Sequence, residues 1–133
     1  MSSYLNFYVT PKTENNTKQH LMLLTYSRNN MIYNYFKYNL DIPWAGDEEK
    51  YLSLDEKCIS IVLTNINNDI NKLEKRLTEY EKHSSSEIIE NIIEMKEDLE
   101  DLKKCRNNIY FIIDLLVTND IIKDFEEISC NIN

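Results

Sequence analysis

Beyond Gly46 the chain runs to Asn133 without a proline or a further glycine, and apolar residues recur through much of it at steps of four and three. Ile59, Leu63, Ile66, Ile70, Leu73, Leu77 and Tyr80 form one such series, a seam of helical heptads that chance rarely supplies. His83-Ser-Ser-Ser86 interrupts it, and the series resumes at Ile88, Ile92, Met95, Leu99 and Leu102, then at Ile109, Ile113 and Leu116. The pattern predicts two long helices, over 54–82 and 86–118, folded back on each other as an antiparallel, coiled-coil-like hairpin. Ser53-Leu-Asp-Glu56 and Ser84 with Glu87 read as capping boxes that open them. Around Cys58–Leu63 and Ile109–Val117 apolar residues cover most of the helix circumference, which predicts a buried base. Residues 67–104 keep only the seam, which predicts a projecting tip.

The N-terminal region follows a different period. Leu5, Phe7 and Val9 alternate with Tyr4, Asn6, Tyr8 and Thr10, the signature of a strand with one buried face. Apolar density returns at Leu21–Leu24, after a polar stretch containing Pro11. Strands near 3–10 and 19–26 would make a β-hairpin, which needs a helix against its apolar face to persist in water. Ser27 reads as the N-cap of a helix over 28–40, with Met31, Ile32, Tyr35, Phe36 and Leu40 on its apolar face and Pro43 barring continuation. Residues 41–51 read as a loop. Ile121, Ile122, Phe125 and Ile128 have helical spacing and predict a short closing helix over 121–129. The expected fold is α+β, mostly α, in a single domain over 1–133, since 133 residues leave no room for two independent cores.

Composition narrows the function classes. One glycine, one alanine and two prolines stand against seventeen asparagines and seventeen isoleucines, which excludes glycine-rich phosphate loops and dinucleotide fingerprints. A net charge of −8 argues against general coating of nucleic acid. No apolar run approaches a membrane span and the first residues lack the form of a secretory signal, so a cytoplasmic protein is expected. Cys58, Cys105 and Cys130 have no close spacing, and His20 and His83 stand apart, so no metal site is read and the cysteines are expected to be reduced. No catalytic or cofactor-binding residue emerges either. A nucleophile–base pair is not visible, and the carboxylates of 87–104 share their helix with Lys96, Lys103 and Lys104, the mixture of a solvated face.

Charge and aromatic residues are unevenly distributed. Residues 1–40 carry a net +3, whereas 41–57, 87–104 and 114–127 each carry −4. Eight of the fourteen aromatic side chains also lie in the first forty residues. Two candidate partner surfaces follow. One is the basic, aromatic end with Arg28, Tyr33, Lys37 and Tyr38. The other is the acidic helix face with Glu90, Glu94, Glu97, Asp98 and Asp101, where regular carboxylates could imitate phosphate spacing. Arg106 falls where the seam expects an aliphatic residue. Either a register slip turns Cys105 inward and frees Arg106 toward solvent, or Arg106 is a buried register device paired with an acid or lies at an oligomer contact.

Ser3-Tyr-Leu-Asn-Phe-Tyr-Val-Thr-Pro-Lys12, followed by Leu24-Thr-Tyr-Ser-Arg-Asn29, resembles the opening of small accessory proteins encoded by bacteriophages of gut bacteria. That family brings no activity and no functional residue to carry over. The resemblance implies a phage-encoded protein acting on a host or defence protein. The expectation is a non-enzymatic protein–protein interaction module, in its sharper form an acidic inhibitor of a nucleic-acid-handling protein. Its alternatives are a self-assembling component pairing through the helical hairpins, as a homodimer or larger, and a single-strand nucleic-acid binder using the basic aromatic end.

Overall fold

The computed structural model describes residues 3–11, 19–46, 49–83, 86–117 and 125–133. The elements in chain order are β1 (Tyr4–Pro11), β2 (Leu21–Ser27), α1 (Met31–Asn39), β3 (Leu52–Ser53), α2 (Glu56–Glu81), α3 (Ser86–Val117) and β4 (Phe125–Ile132). The fold is α+β, with an N-terminal antiparallel hairpin and three helices, two of them long and packed together.

The C-terminal segment departs from the sequence reading. Residues 125–132 form a strand, not a helix; 121–124 lie outside the described residues. β4 inserts between β1 and β3, so the antiparallel sheet has four strands in the order β2-β1-β4-β3. The physical reason is the unfilled edge of β1. A hairpin alone leaves one row of β1 donors and acceptors open, and β4 pairs it from Leu5↔Ile132 to Pro11↔Phe125. Ile128, Cys130 and Ile132 then alternate onto the core face, each nearly inaccessible to water. The helical spacing of Phe125 and Ile128 is outweighed by this period-two run.

The expected loop over 41–51 touches the sheet at Trp44, and a short strand follows it directly. Trp44 bridges Ile132, and Leu52 and Ser53 pair with Cys130 and Ser129. Because Ser53 belongs to the sheet, α2 starts two residues later than expected and Asp55 caps it, its Oδ1 accepting from the Cys58 amide at 2.8 Å. α1 likewise begins at Met31, after a turn in which the Asn30 amide donates to the Ser27 carbonyl. Asn30 Oδ1 accepts from the Ile32 amide, in the capping role expected of Ser27.

One core joins all the layers. Leu5, Phe7 and Val9 from β1 meet Ile32, Tyr33 and Phe36 from α1, Ile59, Val62, Ile66 and Ile70 from α2, and Cys105, Ile109 and Ile112 from α3. Phe7 stands edge-on to Phe36 at 5.2 Å and to Tyr26 at 5.9 Å. The far face of the sheet is covered too, contrary to the one-sided strand expected for β1. Asn6, Tyr8 and Thr10 are buried there with Ser129 and Asn131. Asn6 Nδ2 donates to Asn133 Oδ1 at 3.0 Å, Thr25 Oγ1 donates to Asn6 Oδ1 at 2.8 Å, and Asn131 Nδ2 donates to the Lys50 carbonyl at 3.1 Å. Tyr51 lies across this face, edge-on to Tyr8 at 5.0 Å and stacked on His20 at 3.7 Å. These hydrogen bonds satisfy the Asn6 and Asn131 side chains, which would otherwise be costly to bury, while Ser129 Oγ has no partner among the described residues.

α2 and α3 run antiparallel, their register marked by Lys103 with Glu74 at 3.9 Å and Lys96 with Glu81 at 3.7 Å. At 1.5 Å per residue the arms are roughly 40 and 50 Å long. Beyond Ile70 no described residue of α2 is fully buried; Leu73, Leu77 and Tyr80 are half-covered by α3. The base is less enclosed than the sequence implies, since Ile61, Tyr110 and Phe111 remain exposed. Sheet and α1 cover only part of each helix, and these three side chains lie outside that cover.

Candidate interaction surface

The two edges of the sheet are built differently. On one side β4 is flanked by β3, only two residues long, and by the Trp44 bridge. Short edge strands of this kind resist pairing with other chains. On the other side β2 extends over seven residues, Leu21-Met-Leu-Leu-Thr-Tyr-Ser27, with neither a charge nor a proline. Its inner edge pairs with β1 from Tyr4↔Ser27 to Val9↔Leu21. Among the described residues no strand pairs its outer edge. Register shifts between Phe7 and Tyr8, placing Leu23 as the extra residue between the Phe7↔Leu24 and Tyr8↔Met22 pairs. Leu24 and Tyr26 pack inward, while Leu21, Met22 and Leu23 are exposed, Met22 by 58%. An open row of backbone groups beside three exposed apolar side chains is the geometry that accepts an added strand.

The chain segment that carries this edge has charge of one sign. From Gln19 to Leu40 the chain contains Arg28 and Lys37 and no Asp or Glu. Arg28 follows β2 directly and is exposed, its amide donating to the Ser3 carbonyl at 3.0 Å. Lys37 is exposed on α1, with Nζ 5.7 Å from the centre of the Tyr33 ring. Of the expected aromatic pair, Tyr38 stands in solvent at 79% exposure. Tyr33 does not reach the surface: it is buried in the core, because α1 is packed by both the sheet and the long helices and so buries a broad arc.

The acidic candidates occupy another part of the molecule. Glu90, Glu94, Glu97, Asp98 and Asp101 are all exposed on α3. Asp101 reaches the base, where with Asn30, Lys104 and Asn108 it lines a shallow cleft of about 380 Å³ beside the start of α1. The other four extend along the tip, away from Arg28 and Lys37, so the two predicted surfaces do not form one site. A second cleft, of about 340 Å³, lies between α1 and α2 and was not foreseen. There Tyr35 donates its hydroxyl to Asp69 Oδ2 at 2.5 Å, Asn39 Nδ2 donates to the Tyr35 carbonyl at 2.6 Å, and Asn65 Nδ2 donates to Asn39 Oδ1. Burial and the Asp69 carboxylate push the Tyr35 phenol well above its ordinary value. The cleft's polar groups satisfy one another, which makes it a lock between the helices.

Arg106 resolves partly as expected. Cys105 turns inward and is buried, and Arg106 is half-buried beside it. Its Nη1 donates to Asn67 Oδ1 at 3.2 Å and its guanidinium lies 5.9 Å from the Tyr110 ring centre, so an amide and a ring, and no acid, are its partners among the described residues. Burial pushes the Cys105 and Cys130 thiols up to about 12, which keeps both protonated and weakly nucleophilic near neutral pH. His83 is exposed at the end of α2, while His20 hydrogen-bonds Thr10 at 3.2 Å. Among the described residues no group of three or more His, Cys, Asp or Glu is placed to hold a metal ion, and no helix is long and apolar enough to cross a membrane.

The edge of β2 was missed by the sequence reading, although a signal was present. Leu21-Met-Leu-Leu24 is four apolar residues in a row, and a strand with one core face cannot turn all four inward. No family model, curated protein or solved structure matches the chain.

Proposed function

We propose that the protein is a non-enzymatic interaction module that takes up an extended, carboxylate-bearing segment of another protein along the outer edge of β2. The observation that carries this reading is the seven-residue edge without charge or proline, beside exposed Leu21, Met22 and Leu23. Added-strand recognition draws affinity from main-chain hydrogen bonds and specificity from flanking side chains. Arg28, exposed directly after β2 in a stretch without a single acid, favours Asp or Glu at one end of the incoming strand. The resemblance to phage accessory proteins suggests a host or defence protein as the donor and the host cytoplasm as the setting.

Selection from a library of short randomised peptides tests the proposal. Enriched peptides are expected to alternate β-branched residues and to carry Asp or Glu at an end. Their binding should weaken as salt rises from about 50 to 500 mM. Leu23→Glu, an exposed substitution on the edge itself, should abolish binding while leaving the thermal transition in place. Enrichment of basic peptides, or binding indifferent to Leu23→Glu, would refute the reading.

A further inference from the structure

α3 is far less one-sided than α2, because it carries apolar residues on two opposite faces. One face, with Met95, Cys105, Ile109 and Ile112, is buried. On the opposite face Ile89 and Ile93 are each 54% exposed and Phe111 49%, and Leu115, at the edge of this face, is half-buried and also packs against the core. Between these apolar ends the same face presents Glu97, Glu100, Lys104 and Asn107, all exposed. At 3.6 residues per turn, all eight positions fall within an arc of about 80°.

Their order is symmetric about the level of Leu102. Moving outward from that level, Glu100 mirrors Lys104, Glu97 mirrors Asn107, Ile93 mirrors Phe111 and Ile89 mirrors Leu115. We infer that α3 pairs through this face with α3 of a second copy of the chain, the two helices running antiparallel about a two-fold axis at Leu102. Such an interface is isologous, so every contact occurs twice. Ile93 packs on the other copy's Phe111, Ile89 on its Leu115, and Glu100 pairs with its Lys104. Among the described residues neither Glu100 nor Lys104 is held in an ion pair, although both lie on the same helix face. A parallel pair would instead set Glu100 against Glu100 and Lys104 against Lys104. Because α2 covers the other side of α3, the product is a row of four helices, in contrast to a square four-helix bundle. The outer edge of β2 takes no part in this pairing, so the inference is independent of the proposed function.

Sedimentation equilibrium of the full chain over about 5 to 500 µM tests it. The weight-average mass should rise from the 15.9 kDa of one chain toward twice that value. Glu100→Lys should weaken the dimer at least about tenfold at low salt, since it sets Lys against Lys twice. The exchange Glu100→Lys with Lys104→Glu should restore it, and Ile93→Asp should leave a folded monomer. All three changes are on exposed positions, and circular dichroism checks that helicity is kept. A monomer throughout the concentration range would overturn the inference. A dimer indifferent to Glu100→Lys and Ile93→Asp, or a double exchange no better than Glu100→Lys alone, would also overturn it.

Discussion

Residues 56–70 of α2 and 105–115 of α3 lie against the sheet and α1, and there Val62, Ile66, Ile70, Ile109 and Ile112 lose essentially all contact with water. From Asn71 outward the same two helices have only each other, and Leu73, Leu77, Ile88 and Ile92 stay half-covered. The heptad spacing is the same in both regions, so the difference comes from what is packed outside the hairpin. A seam between two helices hides a narrow stripe; a third layer hides a face. The base therefore carries the stability of the domain, and the tip presents long charged surfaces on a scaffold that tolerates change.

Truncating the centre of the base should break the molecule. Phe36→Ala removes the ring that joins α1 to Phe7 of β1, and the expected cost is about 3–5 kcal/mol in urea-induced unfolding. Ile66→Ala in the base should cost about 2–5 kcal/mol, and Leu77→Ala at the half-covered tip about 1 kcal/mol. Equal losses at the two sites would contradict the division. Amide exchange should sharpen it further, with amides of 59–70 opening only on global unfolding and those of 74–81 through a smaller, local opening.

The start of α2 should show a pH dependence. The Cys58 amide, which donates to the Asp55 carboxylate, holds that group below its ordinary value, with Lys57 adding a smaller pull in the same direction. A depressed carboxylate stabilises the fold above its unfolded-state pKa and loses that contribution as pH falls through the folded value. Stability of the parent should thus decline on acidification more steeply than that of Asp55→Asn, which keeps a cap without the charge. Identical acid profiles would remove Asp55 from the account. The smallest effect is expected at the tip, where Lys103→Ala should cost about 0.2–1 kcal/mol because its pair with Glu74 is largely in water.

The long helices were the most legible part of the sequence, expected over 54–82 and 86–118 and found at Glu56–Glu81 and Ser86–Val117. A period sustained over several heptads leaves little choice of structure or phase. The N-terminal hairpin was legible for the same reason on a shorter scale. β4 was not, because its pairing with β1 joins residues more than a hundred positions apart, and nothing local in Phe125–Ile132 announces the open edge it fills. The starts of α1 and α2 were misplaced for a related reason. Ser27 and Ser53 are suitable caps, but β2 and β3 claim them and Asn30 and Asp55 take over. Of the candidate surface residues, Arg28, Lys37 and Tyr38 are exposed as expected, and Tyr33 is lost to the core because two layers pack α1.

The functional account depends on the outer edge of β2 being open in the free protein and closed by an added strand. Amide exchange of the isotope-labelled protein, alone and with a library-selected acidic peptide, measures this residue by residue. The account predicts fast exchange at alternate outward-facing amides of Leu21–Ser27 in the free protein and strong protection of those same amides with peptide bound. Protection that appears on α1 or α3 while β2 is unchanged, or β2 amides already protected without peptide, would contradict it.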